Sequence, residues 1–298
     1  MQHLNHLVKH DLVIGIPKIK FYKDELCAAC QKGKQIKSSF QNKNVVSTTR
    51  PLELLHIDLF GPSRTMSLGG NYYGLVIVDD YSRFTWTLFL KTKDDAFTAF
   101  HKLANVIQNE KSMRIVSIRS DHGGEFQNEK FEKYCFENGI HHNFSAPRTP
   151  QQNGVVERKN RSLEEGARTL LNETNLPKYF WADAVNTVCY TLNRLLLRPI
   201  LKKTPYELYK GRKPSISHLR VFGCKCFVLN NGKESLGKFD AKADEAIFLG
   251  YSMNSKAYRV FNVTPLKIYL AIANLSLFII ILRILVVKNV GKFKTFSK

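Results

Sequence analysis

The sequence is short of acidic residues relative to basic ones. Its 298 residues carry 25 Asp and Glu against 45 Lys and Arg, so the formal net charge is +20. This imbalance excludes little by itself, but it favours a polyanionic partner, with nucleic acid ahead of an anionic membrane surface. Only six cysteines occur, and residues 1–26 lack the continuous apolar stretch of a secretory signal. A secreted domain held together by disulfides is therefore not expected.

Hydrophobic periodicity indicates a layered α/β fold in the middle of the chain. Three apolar runs follow one another through loops too short for crossover helices, so these strands should be antiparallel. Later strands alternate with segments of helical spacing and should be parallel. The predicted strands are 54–59, 74–78, 84–90, 115–118 and 142–145. The predicted helices are 96–107, the region of 126–134, a helix that begins within 150–154 and ends near 173, and a helix after Pro177.

Three carboxylates lie where this arrangement can bring them together. Asp58 lies in the first strand, Asp121 ends the fourth, and Glu157 lies in the first turns of the helix after the loop. Phosphodiester cleavage and transfer need an activated oxygen nucleophile and a stabilised leaving oxygen, which two divalent ions on hard oxygen ligands supply. An unpaired charge in an apolar strand is costly, which argues against an incidental Asp58. The spacing from Asp121 to Glu157 is by itself a weak signal.

Several segments, in order along the chain, resemble the motifs of one protein family. LHIDLFGP, VIVDDYSRFTW, RSDHGGEF and PQQNGVVERKNR are similar to successive motifs of retroviral and retrotransposon integrase cores. YFWADAVNTVCYTLNR, TPYEL, FGCKCFV and IFLGYSMNSKAYRVFN resemble the Copia-type (Pseudoviridae) branch of that family. The resemblance implies a ribonuclease-H-like catalytic core at 48–214, with three antiparallel strands plus parallel strands flanked by helices. A small SH3-like β-barrel would follow at 215–264.

The resemblance also implies a function. It is that of a DNA integrase, which processes the 3′ ends of retroelement DNA and transfers them into target DNA. Asp58, Asp121 and Glu157 would be the catalytic residues and the ligands of Mg²⁺ or Mn²⁺. The expected partners are double-stranded DNA and further copies of the chain, and the expected location is the nucleus. The alternative is a catalytically inactive retroelement fragment that binds nucleic acid through its charge alone.

Candidate DNA contacts cluster around the helix that carries Glu157. They are Asn153, Arg158, Lys159 and Arg161, together with His122. Arg161 lies four residues after Glu157 and shares its face, so it could hold a DNA phosphate beside the metal ions or form an ion pair with Glu157. His122 follows Asp121 directly and could equally be a solvent-exposed loop histidine.

Two other pairs of residues have structural interpretations. Asp79 and Asp80 follow a buried strand and are expected to stabilise a hairpin turn through bonds to the backbone, although a supporting role near the site is the alternative. Cys224 and Cys226 have aromatic neighbours and are expected to be packed thiols.

Cys27 and Cys30 have the spacing of one half of a zinc site. The family's N-terminal module pairs such cysteines with two upstream histidines. His6 and His10 offer a pair, but the segment between His10 and Cys27 is shorter than the family's usual gap. We therefore expect residues 1–40 to be a truncated zinc-binding-like segment in which zinc binding is doubtful.

The resemblance ends near Asn262, and residues 265–298 form an apolar and basic tail. Residues 269–287 contain one charged residue, Arg283, and would just span a bilayer as a helix. We expect this tail to have no position in the core of the fold. A membrane anchor at 269–287 is the alternative.

Overall fold

The computed structural model describes residues 2–15, 17, 47–145, 153–229, 237–252, 255–262 and 267–271. Cys27 and Cys30 lie outside these ranges, as does most of the apolar segment 269–287, so the expectations about zinc and about a membrane anchor stay predictions. Among the helices in these ranges, none combines the length and the hydropathy that crossing a bilayer requires.

A five-stranded mixed sheet forms the centre of the fold. Its strands are β1 (Leu54–Phe60), β2 (Tyr73–Asp79), β3 (Thr85–Leu90), β4 (Ser117–Ser120) and β5 (His141–Phe144), in the order β3-β2-β1-β4-β5. β1 pairs antiparallel with β2 and β2 with β3, whereas β4 is parallel to both β1 and β5. The predicted combination of antiparallel and parallel strands is confirmed.

Helices cover both faces of this sheet because residues in β1 and β2 alternate between the two faces. The helices are α1 (Gln2–Lys9), α2 (Ala96–Lys111), α3 (Glu129–Asn138), α4 (Gly154–Thr174), α5 (Trp181–Leu195) and α6 (Pro205–Lys210). Leu55 and Ile57 pack with α2 and α3 on one face. Val76 and Val78 pack with α4 and α5 on the other. The second face is the one that carries the candidate site.

The close packing of α4 on α5 holds the site-bearing helix against the sheet. At Gly166 of α4, an added Cβ would lie 2.7 Å from Cγ1 of Val188 on α5. Only a residue without a side chain lets the two helices approach this closely. On α5, the side chain of Asn193 both accepts from the backbone N–H of Thr85 (2.9 Å) and donates to its carbonyl (2.8 Å), which ties α5 to β3.

A second, antiparallel sheet follows the core and is called the β module here. Its strands are β6 (Lys225–Leu229), β7 (Ala243–Tyr251), β8 (Tyr258–Asn262) and β9 (Lys267–Ala271), in that order. It is joined to α5 by two bonds. Thr187 donates to the carbonyl of Leu249 at 2.8 Å, and Arg259 forms an ion pair with the buried Asp183 at 2.8 Å.

The β module extends past the expected boundary at residue 264. Residues 267–271, which were expected to be part of a tail with no position in the fold, form β9 and pair antiparallel with all five residues of β8. The expectation failed because an apolar run of this length satisfies the pattern of a spanning helix as well as that of a buried strand. The packed-thiol interpretation agrees with Cys226, which is buried and donates to the carbonyl of Ala246.

The N-terminal residues also belong to the β module rather than to a separate unit. Leu7 and Val13 are buried in the same apolar cluster as Phe248 and Val260. Ile14 forms a parallel bridge with Ser215. The prediction of a separate segment 1–40 therefore overlooks the contact of residues 7–14 with the β module. No local sequence pattern encodes such a tertiary contact.

We predict that the β module depends on β9. A chain that ends after residue 263 leaves β8 as an exposed edge without its five backbone pairings. Amide hydrogens of β7 and β8 should then exchange faster than in a chain that ends after residue 272, as hydrogen-exchange mass spectrometry can measure. Equal protection in the two truncated chains would show that β9 contributes nothing to the sheet.

Candidate active site

The pairing of β1 with β4 places Asp58 beside Asp121. Leu54 pairs with Ser117 and His56 with Arg119 in a parallel register. Residues two positions further on lie on the same face of each strand, so the same register leads to Asp58 and Asp121. Neighbouring strands are about 4.8 Å apart. The two carboxylates therefore project from adjacent strands at the same level of the sheet.

Helix α4 brings a third carboxylate to this position. Nδ2 of Asn160 donates to Oδ2 of Asp58 at 2.7 Å, which fixes the helix against β1. Glu157 lies three residues before Asn160 and is on the same side of the helix. The Glu157 side chain is exposed whereas Asn160 is buried. Glu157 therefore lies at the rim of the site, above the buried contact that positions the helix.

The electrostatics agree with this proximity. Burial, with the negative charges of Asp121 and Glu157, raises the pKa of Asp58 to about 7, against hydrogen bonds from the Leu59 backbone N–H (3.0 Å) and Asn160. The pKa of Glu157 is also raised, first by burial and then by Asp121, while Arg158 and Arg161 oppose the shift. Asp121 accepts a bond from the backbone N–H of Gly123 at 3.1 Å. The three carboxylates thus lie within electrostatic range of one another.

The donor set fits a divalent ion in its chemistry. Carboxylate oxygens are the hard ligands that Mg²⁺ and Mn²⁺ prefer, and the cost of burying Asp58 as an anion is one that a cation would remove. Buried acceptors also lie beside the site, since Oδ1 of Asn153 and Oδ1 of Asn160 have no hydrogen-bond partner in the described structure. Within the described ranges, however, no three His, Cys, Asp or Glu side chains are close enough to hold one metal ion together. The assignment of metal ligands therefore stays a prediction.

The candidate DNA contacts do not all lie on one surface. Arg158 and Arg161 are exposed on α4 beside Glu157, so their contact with DNA stays a prediction. Lys159 is only 9% exposed, because it shares the face of Val156 and Leu163, which packs against the core. The expectation that Lys159 contacts DNA is therefore corrected.

Two candidates outside this face are placed differently. Asn153 precedes the first residue of α4 and is buried, so its side chain is not part of an exposed DNA-binding surface. His122 is exposed next to Asp121. Its ring stacks on Phe144, with centroids 5.0 Å apart, and its Nδ1 lies 3.2 Å from Oε1 of Gln127.

A buried polar network next to the carboxylates was not evident from the sequence. Asp79 accepts from the backbone N–H groups of Leu52 and Ser82, both at 2.8 Å, as expected for a turn residue. Asp80 does more: its Oδ1 lies 2.9 Å from Nε2 of His56 and 2.9 Å from Nη1 of Arg83. Burial alone would raise the pKa of Asp80, but these contacts hold that pKa well below its usual range. No spacing in the sequence links positions 56 and 80.

We predict that the half-buried Asp58 carboxylate destabilises the metal-free protein at alkaline pH. Its pKa is about 7 in the folded chain and 3.8 ordinarily, so the folded state holds the proton more tightly and stability falls as pH rises between these values. With divalent ions chelated, Asp58→Asn should raise the free energy of unfolding at pH 8 by roughly 1–3 kcal/mol. The gain should be smaller at pH 5.

Urea unfolding at the two pH values measures this effect. Asp94→Asn is the matched control, because Asp94 is an exposed aspartate in the short turn before α2. A variant at Asp58 that is no more stable than the parent at pH 8 would contradict the account of the site's electrostatics.

The sequence matches two family models. The model described as an integrase core domain covers residues 48–150, and that described as a retroviral polymerase SH3-like domain covers residues 224–272. The second match extends past residue 264, as β9 does. These two models thus correspond to the mixed sheet and to the β module.

The chain is similar to segments of several Pol polyproteins. It is 39% identical over 242 residues to the retrovirus-related Pol polyprotein from transposon TNT 1-94 of Nicotiana tabacum, which is 81% of this chain and 18% of that protein. It is 32% identical over 269 residues to that from transposon RE1 of Arabidopsis thaliana, 90% of this chain and 18% of that protein. The chain thus spans less than a fifth of these relatives.

Among solved structures, the HTLV-2 integrase catalytic core domain in complex with magnesium is similar at 21% identity and a TM-score of 0.42. This similarity covers 54% of this chain and 97% of that one. The integrase core match, the SH3-like match and the identity to the plant transposon polyproteins agree with one another. The chain thus carries an integrase core domain followed by a retroviral polymerase SH3-like domain, and it is related to the Pol polyproteins of plant transposons.

Proposed function

We propose that this chain is the catalytic segment of a retroelement integrase that joins DNA ends to target DNA by metal-dependent phosphoryl transfer. One observation carries the proposal. Asp58 and Asp121 project from adjacent parallel strands at the same level, and Asn160 fixes against Asp58 the helix that carries Glu157. Few functions other than ion binding account for a half-buried carboxylate that lies within electrostatic range of two further carboxylates.

Asp58, Asp121 and Glu157 would hold two divalent ions, Mg²⁺ or Mn²⁺. When bound, these ions would activate the attacking oxygen and stabilise the charge on the leaving 3′ oxygen. In end processing the nucleophile is water, and in strand transfer it is the 3′ hydroxyl of the processed end. Both reactions displace an oxygen at phosphorus, so one site serves both.

The work of the protein is to hold these carboxylates in fixed positions. The backbone N–H of Leu59 and Nδ2 of Asn160 each bond one oxygen of Asp58, which fixes the orientation of the group. The backbone N–H of Gly123 does the same for Asp121. Carboxylates that are already held in the required orientation lower the entropy cost of reaching the reactive geometry.

Exposed cations beside the carboxylates would bind the DNA. Arg158 and Arg161 flank Glu157 on the solvent side of α4, where phosphates of a bound strand would pass. The net charge of +20 suits the same double-stranded DNA partner. We also propose that the chain assembles into a homo-oligomer and acts in the nucleus. Both points rest on its resemblance to the integrase family.

We predict that Asp121→Asn lowers strand transfer by at least roughly 100-fold, because a neutral amide is a poor ligand for a hard divalent ion. DNA binding should stay within about twofold of the parent, since it depends on Lys and Arg. Strand transfer is measured with Mg²⁺ on a duplex that carries the element's terminal sequence, and binding is measured by fluorescence anisotropy.

Asp94→Asn is again the control and should retain full activity. If Asp121→Asn remains active, the carboxylate assignment is wrong. If the parent chain binds DNA but never transfers strands at any Mg²⁺ or Mn²⁺ concentration, the chain is a nucleic-acid-binding fragment instead.

A further inference from the structure

Four arginines lie at or near the network of His56 and Asp80. They are Arg83, Arg119, Arg158 and Arg198. Arg119 is the register partner of His56 and lies two residues before Asp121, on the same face of β4. Arg119 therefore lies about 7 Å from Asp121 along β4, the length of two strand residues.

The turn after β2 holds Arg83 rigidly. Arg83 has a left-handed backbone with φ of 62°, and its N–H donates to the carbonyl of Asp79 at 2.8 Å. Its guanidinium bonds the same oxygen of Asp80 that His56 contacts. A side chain fixed in this way is ready to bind an anion without a large loss of rotamer entropy.

The charges around this network do not balance. Besides His56, the charged groups are the four arginines and three carboxylates, namely Asp79, Asp80 and the Glu157 that adjoins Arg158. Arg198 is buried and donates to the carbonyl oxygen of Asp80, so it is part of the fold. Within the described residues, Arg119 and Arg158 form no ion pair with a carboxylate, and Asp80 is already shared between His56 and Arg83. An excess of positive charge remains on the partly exposed side.

The cations also act on one another. Burial lowers the pKa of Arg83, and the positive charge of Arg158 lowers it further, so these two guanidinium groups interact. Arg119 is the strand neighbour of His56, whose Nε2 contacts the same oxygen of Asp80 as Arg83 does. Arg83, Arg119 and Arg158 therefore lie around one network. Like charges held together without a counterion are costly unless an anion binds between them.

We propose that Arg83, Arg119 and Arg158 form a binding site for a backbone phosphate of the DNA strand, one or two nucleotides from the phosphodiester that reacts. This inference rests on the proposed function, which places the reacting phosphodiester at Asp58, Asp121 and Glu157. A strand held at both sites has its reacting phosphorus fixed in position along the backbone. Planar guanidinium groups suit phosphate oxygens better than ammonium groups do.

The first test measures DNA binding without catalysis. Affinity of the full chain for a labelled duplex is measured in EDTA between 50 and 200 mM salt, for Arg119→Gln and for Arg114→Gln. Arg114 is the matched control because it is exposed and precedes β4, at the opposite end of the strand from Asp121. Loss of one phosphate contact should reduce the slope of log affinity against log salt by about 0.9 in Arg119→Gln, with a clearly smaller change in Arg114→Gln.

The second test locates the phosphate. Neutral methylphosphonates replace, singly, the two phosphates on either side of the reacting one, and strand transfer is measured. At one position the methylphosphonate should lower the strand-transfer rate of the parent at least about fivefold. The same substitution should not lower the rates of Arg119→Gln and Arg83→Gln any further, because these variants already lack the contact with that phosphate. Urea unfolding of each variant separates this effect from a role of Arg83 in folding alone.

The outcomes separate the two proposals. Equal salt slopes for the Arg119 and Arg114 variants, or methylphosphonate effects that simply add to those of the arginine variants, overturn the phosphate site while strand transfer stands. A reduced slope for Arg119→Gln in a chain that never transfers strands supports the phosphate site and overturns the proposed function.

Discussion

The site depends on one constraint, the parallel register of β1 and β4. It brings two carboxylates side by side on a sheet face that α4 partly covers, where burial and the charge of Asp121 raise the cost of ionising Asp58. Neither residue contributes to the apolar core, and the raised pKa of Asp58 shows that its position is unfavourable for an anion. Asp58 therefore lowers the stability of the sheet at this point, as residues of binding sites commonly do. The Asn160 bond and the backbone donors offset part of that cost.

Local pattern was sufficient for most of the core. Strands such as Tyr73–Asp79 are continuous β-branched runs, and the helix Gly154–Thr174 follows a loop rich in Pro and Gly, so period and boundary signals agree. The predictions that failed concern tertiary contacts. β9 begins inside an apolar run that looks like a longer helix, and the burial of Leu7 depends on a β module more than 200 residues away in sequence.

The candidate site divides in the same way. Asp58, Asp121 and Glu157 were assigned through the resemblance, and the register and the Asn160 bond now give a physical reason for their proximity. The prediction for Lys159 is wrong because it rests on charge alone. Lys159 lies on the same face of the helix as Val156 and Leu163, and that face packs against the core. The contacts of Asp80 with His56 and Arg83 were missed because they join a strand to a turn 24 residues later, and only the folded sheet brings them together.

The claim that three carboxylates form a divalent-ion site is tested most directly by anomalous diffraction from a crystal grown with Mn²⁺. The account predicts Mn²⁺ at about 2–2.3 Å from oxygens of Asp58 and Asp121, with Glu157 turned inward to complete a site for one or two ions. Anomalous density elsewhere on the chain, with Asp58 still bonded only to Leu59 and Asn160, would contradict it.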